Sequence, residues 1–282
     1  MTGKAPIGIF DSGYGGLTVF QKIREALPHC DFIYLGDNAR APYGSRSFDI
    51  VYDFTRQAVF KLFEMGCPLV ILACNTASAK ALRTIQQQDL PRSDDPTRRV
   101  LGVIRPTVEV LDRLSRSKHV GILGTSGTIA SGSYSLEIAK LFPHIRVTEE
   151  ACPLWVPLVE NREADSPGAD YFIRKNIDAI FDRDPDIDTL VLGCTHYPLL
   201  LEKIRKHVPA GVTIFSQGER VAEALADYLL RHPEMNARIS KDGSVRFLTT
   251  ESPERFSANA SFFLGEPAEA SGIRWMPEGL GV

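Results

Sequence analysis

The sequence predicts an α/β protein built as two pseudo-symmetric domains, each a mainly parallel sheet flanked by helices, with a site in the cleft between them. Three observations predict this. Strand-like runs alternate along the chain with segments of helical periodicity, the rhythm of parallel sheets covered by helices. The strand-like runs are apolar throughout, as strands buried on both faces are. The pattern also occurs twice: LVILACNTAS (69–78) and LVLGCTHYP (190–198) each run from an apolar strand through a small residue into Cys and Thr. IGIFDSGYGGLT (7–18) parallels VGILGTSGTIAS (120–131) in the same way.

The elements follow in order. A strand at 7–10 leads into a helix near 15–27, and DFIYLGD (31–37) is a second strand. Phe48, Val51, Tyr52, Thr55, Val59, Leu62 and Phe63 recur at helical spacing and predict a helix over 48–65. Gly66 caps it and Pro68 prevents its continuation. The Cys74 strand follows, and a helix is expected to open near Ser78 and run through AKALRTIQQQ. The polar, proline-bearing stretch 89–98 reads as a crossover between domains. Beyond it lie a strand at 100–104, a helix with Pro106 in its first turn, a strand at 120–124 and a helix near 131–141. Residues 151–168, with three prolines, read as a long loop. A helix carrying Tyr171, Ile173, Ile177, Ile180 and Phe181 precedes the second cysteine strand. VTIF, the helix ERVAEALADYLL and SVRFLTT complete the alternation. The expected division is 1–97 plus 210–282 for the first domain and 98–209 for the second.

Composition excludes several function classes. Of 282 residues, 44% are hydrophobic and 24% charged, and the formal net charge is −3, so no basic surface advertises nucleic acid or an anionic membrane. No apolar run approaches the roughly 18 residues that span a bilayer. MTGKAPIGIF reaches its first strand at once, leaving no room for a signal peptide; a cytoplasmic protein is expected. Five cysteines, an odd count without C-x-x-C or zinc-like spacing, argue against a disulfide framework or a metal.

Ligands of parallel α/β folds bind at the carboxyl ends of strands, where Asp11, Cys74, Gly124 and Cys194 all fall. Each cysteine has two readings. It is a small buried hydrophobe, or a thiol whose acidity is tuned for proton transfer at a helix start. Asn75 and Thr76 after the first, and Thr195 and His196 after the second, are polar groups at the same mouth. His196 alone reads as structural; beside Cys194 it reads as its partner. Asp11 and Ser12 either cap the following helix or serve a substrate ammonium and Cys74. The turn Gly13, Gly15, Gly16 matches neither the dinucleotide fingerprint nor the phosphate-binding Walker pattern. Tyr43 and Gly44 sit in a tight turn, and Glu160 by itself reads as a solvated loop residue.

IFDSGYGGLTV, GDNARAPYG, ILACNTASA, ILGTSGT, CPLWVPLVE and LVLGCTHYPLL, in this order, resemble the glutamate racemase family over about residues 7–220. The resemblance implies interconversion of L- and D-glutamate without pyridoxal phosphate, metal or nucleotide, supplying D-glutamate for peptidoglycan. It implies that Cys74 and Cys194 are the two acid/base thiols, the first serving D-glutamate and the second L-glutamate. Asp11 and His196 would assist them, with Glu160 as a further helper. Asp11, Ser12, Tyr43, Gly44, Asn75, Thr76, Thr195 and His196 would hold the substrate, many through backbone groups. It further implies a homodimer, no membrane or direct nucleic-acid partner, and a gyrase-binding second role as in some relatives. Arg105 departs from the usual residue before the proline, and the short N-terminus implies activity without a cell-wall-precursor activator. From about residue 235 onward no motif matches. Three alternatives stay open: a racemase for aspartate or another amino acid, a binding protein of the gyrase-inhibiting kind, and a nucleotide-binding protein using the glycine turn.

Overall fold

The computed structural model describes residues 4–275. The expectations drawn from the first residues, and the tail MPEGLGV of the unmatched C-terminal segment, lie outside the described residues.

Among the described residues, ten strands form two parallel sheets. β1 (Ile7–Asp11), β2 (Phe32–Gly36), β3 (Leu69–Leu72), β4 (Arg99–Gly102), β9 (Val245–Thr249) and β10 (Ala270–Gly272) form the first, in the order β10-β9-β2-β1-β3-β4. β5 (His119–Gly124), β6 (Arg146–Ala151), β7 (Thr189–Gly193) and β8 (Thr213–Phe215) form the second, in the order β6-β5-β7-β8. The run β2-β1-β3-β4 has the same connectivity as β6-β5-β7-β8, so the repeated sequence pattern is a repeated topology. In both, the first strand of the unit lies beside the strand that leads to a cysteine, with Phe10 opposite Leu72 and Gly124 opposite Gly193. Every residue of β1, β2, β3 and β7 is buried, which is why these strands read as unbroken apolar runs.

Sheet membership moves the crossings. β4 pairs with β3, and β8 pairs with β7. The chain therefore leaves the first sheet after Gly102 and returns to it after Phe215, somewhat beyond the expected boundaries at 97/98 and 209/210. The stretch at 89–98 is not the crossing: Leu90–Arg92 forms a 3₁₀ turn that ends the irregular helical segment before β4.

Two further expectations are corrected. The helix after β3 opens at Asn75 rather than near Ser78, because the Cys74 sulfur accepts from the Ala77 amide at 3.5 Å and caps it. Residues 151–168 are not all loop: Trp155–Glu160 is helical, anchored by the fully buried Trp155 ring, whose Nε1 donates to Asn176 at 3.1 Å. The C-terminal segment is a structural part of the first half, contributing β9, the helix Pro253–Leu264 and β10. Elsewhere Phe48–Glu64 is helical, and Gly66 leaves it at φ +95°, the left-handed conformation that favours glycine. The helix Gly218–Arg231 packs on the helix Leu17–Ala26 and ties the returning chain to the first sheet.

Candidate active site

The carboxyl ends of β1, β3, β5 and β7 deliver their loops to one pocket of about 160 Å³. Ser12, Tyr43, Gly44, Cys74, Asn75, Thr76, Glu160, Cys194, Thr195 and His196 all line it. Of the residues named for catalysis or substrate binding, Asp11 alone is absent from the lining; it is buried beneath the glycine turn.

On the first side, Cys74 ends the β3 loop with its sulfur 3.4 Å from the Ser12 hydroxyl. Burial, reinforced by the negative charge of Asp11, pushes its thiol up to about 12. Asp11 accepts from the Gly13 amide at 2.9 Å through Oδ2, while its buried Oδ1 has no protein partner. Burial raises the Asp11 carboxyl, against the opposing charge of His196 and the Gly16 and Gly13 amides.

On the second side, His196 Nδ1 faces the Cys194 sulfur at 3.8 Å and Nε2 meets Glu160 Oε1 at 3.0 Å. Burial opposes protonation of the ring, but the hydrogen bonds to Cys194 and Glu160 outweigh it and raise His196 to about 10. The expectation of a solvated loop for Glu160 taken alone is thereby corrected. It ends the Trp155–Glu160 helix and is the anionic partner of a buried imidazole.

The glycine turn has a steric reason. A β-carbon on Gly15 would collide with His196 Nδ1 and Thr195 Oγ1, and one on Gly16 would meet Asp11 Cβ at 2.5 Å. The turn thus lets the two halves close on each other.

Polar contacts hold the seam. Thr76 Oγ1 lies 2.9 Å from Thr125 Oγ1 and 3.3 Å from Thr128 Oγ1, across the two halves. The Gly127 amide donates to the Gly44 carbonyl at 2.7 Å. The Asn75 amide donates to Gln217 at 2.9 Å and accepts from Tyr134 at 2.7 Å, and Gln217 also donates to Tyr134. The Tyr43 hydroxyl points away from the pocket and donates to the buried Asp37 at 2.5 Å. Tyr43 therefore anchors its loop through its hydroxyl and through ring contacts with Phe10 and Phe54.

Sequence reasoning passed over Thr125, Ser126, Val156 and Pro157, which also line the pocket. Thr125 was within reach, since ILGTSGT parallels the Asp11 segment. Gln217 carried no signal, because its role exists only once the halves meet.

A larger cavity, about 610 Å³, lies on the other side of the Cys74 helix, beside Lys80, Arg83, Arg105 and Glu137; no cysteine lines it. Among the described residues, His119, Asp184 and Asp186 alone group with metal-like spacing. They sit at the amino end of β5, away from the pocket, and Arg146 lies 3.5 Å from Asp184. That cluster is balanced by a cation of its own.

The family model described as Asp/Glu/Hydantoin racemase matches residues 7–225. Glutamate racemase of Roseobacter denitrificans is 42% identical over 275 residues, covering 94% of this chain and 98% of that protein. The structure of a Bacillus anthracis glutamate racemase isoform superposes with a TM-score of 0.85 at 34% identity, covering 95% of this chain and 97% of that one. That of Francisella tularensis glutamate racemase in complex with D-glutamate gives 0.84 at 30% identity, covering 98% of each chain. Picrophilus torridus aspartate racemase shares the fold alone, at 18% identity and a TM-score of 0.53 over 79% of this chain and 94% of that one.

Proposed function

The chain belongs to the Asp/Glu/Hydantoin racemase family, and on that premise we propose that it interconverts L- and D-glutamate, with Cys74 and Cys194 as the acid and base. The observation that carries this is one pocket lined by two thiols, each at the end of an equivalent strand of a repeated unit and each with its own polar partners. Glutamate rather than aspartate is favoured by the contrast between relatives near 40% identity and an aspartate racemase at 18%.

The chemical obstacle is a weakly acidic α-proton. A base on one face and an acid on the other lower the barrier together. Hydrogen-bond donors fixed on the substrate carboxylate stabilise the charge that develops there. The backbone amides at Asn75 and Thr76, and the hydroxyls of Thr76 and Thr125, are suited to that task.

The two sides are unlike at rest. Cys74 holds its proton, by burial and by the charge of Asp11. Cys194 stands beside a ring that favours its cationic form. In the proposed L-to-D turnover the Cys194 sulfur, which the resemblance assigns to L-glutamate, acts as the base. The α-proton passes from carbon to that sulfur, the carbon keeps the electron pair, and the Cys74 thiol gives its proton to the opposite face. The D-to-L direction reverses both transfers. Asp11 and His196 assist the neighbouring sulfurs, and Glu160 holds the imidazole.

D-glutamate supply to peptidoglycan synthesis, a cytoplasmic location and a homodimeric assembly belong to the same proposal by resemblance. No helix among the described residues is long and apolar enough to cross a membrane.

Circular dichroism of L-glutamate solution tests the function. The signal is expected to decay to zero with the wild-type chain and to persist with Cys74→Ala or Cys194→Ala. A persistent signal with fresh, reduced wild-type protein, or full activity in both variants, contradicts the proposal.

A further inference from the structure

The C-terminal helix Pro253–Leu264 carries no family motif, yet it reaches the site. It belongs to the first half, between β9 and β10. Its last turn crosses to the second half. The Phe263 ring stands edge-to-face on His196, with centroids 5.9 Å apart and planes at 90°. Phe263 is itself buried and stacks on Tyr14 of the glycine turn, at 5.8 Å and 22°. Its neighbour Phe262 lies under the Arg162 guanidinium at 5.4 Å, and Arg162 follows Glu160 closely in the chain. One helix end therefore touches both the imidazole and the segment that carries its carboxylate partner. Phe263 does not line the pocket, so substrate does not meet it.

We propose that Phe263 is a positioning residue for the Cys194–His196–Glu160 relay, walling the imidazole from the opposite half of the molecule. The inference rests on the racemase reading. An imidazole that must face a sulfur with one nitrogen and a carboxylate with the other has one useful orientation. The ring is held in it on one side by the glycine turn, where no β-carbon fits at Gly15. Phe263, stacked on Tyr14 of the same turn, supplies a second, aromatic contact to the ring and so restricts both its tilt and the access of water to it. The titratable groups that face the ring are Cys194 at Nδ1, Glu160 at Nε2 and Asp11 from β1. Without the aromatic wall, water screens those contacts and the ring loses its fixed aim. Small displacements at such a group lower turnover by up to about a hundredfold without weakening binding.

The test uses Phe263→Ala, Phe263→Leu and Phe263→Tyr in the full chain, with folding checked by near-ultraviolet circular dichroism. Two quantities are read: the His196 titration by NMR of histidine-labelled protein, and kcat and KM for each glutamate enantiomer. The wild-type ring is raised to about 10. In Phe263→Ala, or in Phe263→Leu if the alanine variant does not fold, its midpoint is expected to fall by about one unit or more. The kcat is expected to fall roughly 10- to 100-fold with KM within about twofold. Phe263→Tyr, which keeps the ring, is expected to restore both. Folded Ala or Leu variants with an unmoved His196 titration and unchanged kcat overturn the proposal, as does a loss of melting temperature alone. Because the titration is read without substrate, a wild-type chain that does not racemise glutamate refutes the racemase reading while leaving the positioning role decided by NMR.

Discussion

His196 Nδ1 lies 3.8 Å from the sulfur of Cys194, on a ring whose other nitrogen is held by a carboxylate. The other thiol has no such neighbour: Cys74 faces the Ser12 hydroxyl, with the carboxylate of Asp11 nearby. One sulfur stands beside a cation and the other beside an anion. That difference, inside a topologically repeated fold, gives the two thiols different electrostatic surroundings.

The first prediction concerns pH and stability. Folding raises His196 from its ordinary value near 6.5 to about 10, so the folded state favours the protonated ring. The stabilisation this gives is fully present below about pH 6.5 and is lost as pH rises through about 10. Urea unfolding of the wild type is expected to show a decline over that window that His196→Asn lacks. Parallel pH profiles for the two proteins contradict the assignment.

Asp11 is expected to keep Cys74 unreactive. Its charge, after burial itself, raises the Cys74 thiol, and the thiolate is the nucleophile. Asp11→Asn should therefore speed iodoacetamide labelling of Cys74 at about pH 8, read by peptide mass spectrometry, while turnover falls. Slower or unchanged labelling contradicts this electrostatic role.

The glycine turn gives a graded prediction. A β-carbon at Gly15 collides with His196 and Thr195, whereas one at Gly13 meets Glu160 Oε1 at 3.4 Å, an ordinary contact. Gly15→Ala is expected to lose roughly a hundredfold or more in kcat. Gly13→Ala should stay within about tenfold. Equal effects at both positions contradict the steric account.

At the seam, Thr76→Val leaves Thr125 and Thr128 without their partner from the other half. A lost buried hydrogen bond is worth about 1–3 kcal/mol. The variant is expected to unfold at lower urea and to show a higher KM for glutamate. An unchanged midpoint and KM would show that the cluster neither joins the halves nor shapes the pocket.

The fold was legible where burial is uniform. β1, β3, β5 and β7 are buried strands ending in small or reactive residues, and they announce both the sheets and the repeat. β6 was not recognised, because RVTEEA is a half-exposed edge strand whose side chains carry no apolar run. The helix Trp155–Glu160 was hidden by its prolines; a buried tryptophan, a tertiary fact, decides it. At the site, the cysteines, Asp11, Ser12 and His196 were visible because they follow strands directly. Glu160 was visible only by resemblance, since its partner His196 is remote in sequence. Phe263 and Gln217 gave no signal, because their contacts arise only where the halves close.

The most direct test of two thiols acting on opposite faces is early-time racemisation of L-glutamate in D2O, with α-deuterium followed in each enantiomer by NMR. Two bases predict deuterium in the D-glutamate formed, while the remaining L-glutamate stays protiated. Deuterium appearing equally in the remaining L-glutamate, or D-glutamate formed without deuterium, would contradict the assignment of Cys74 and Cys194 to separate faces.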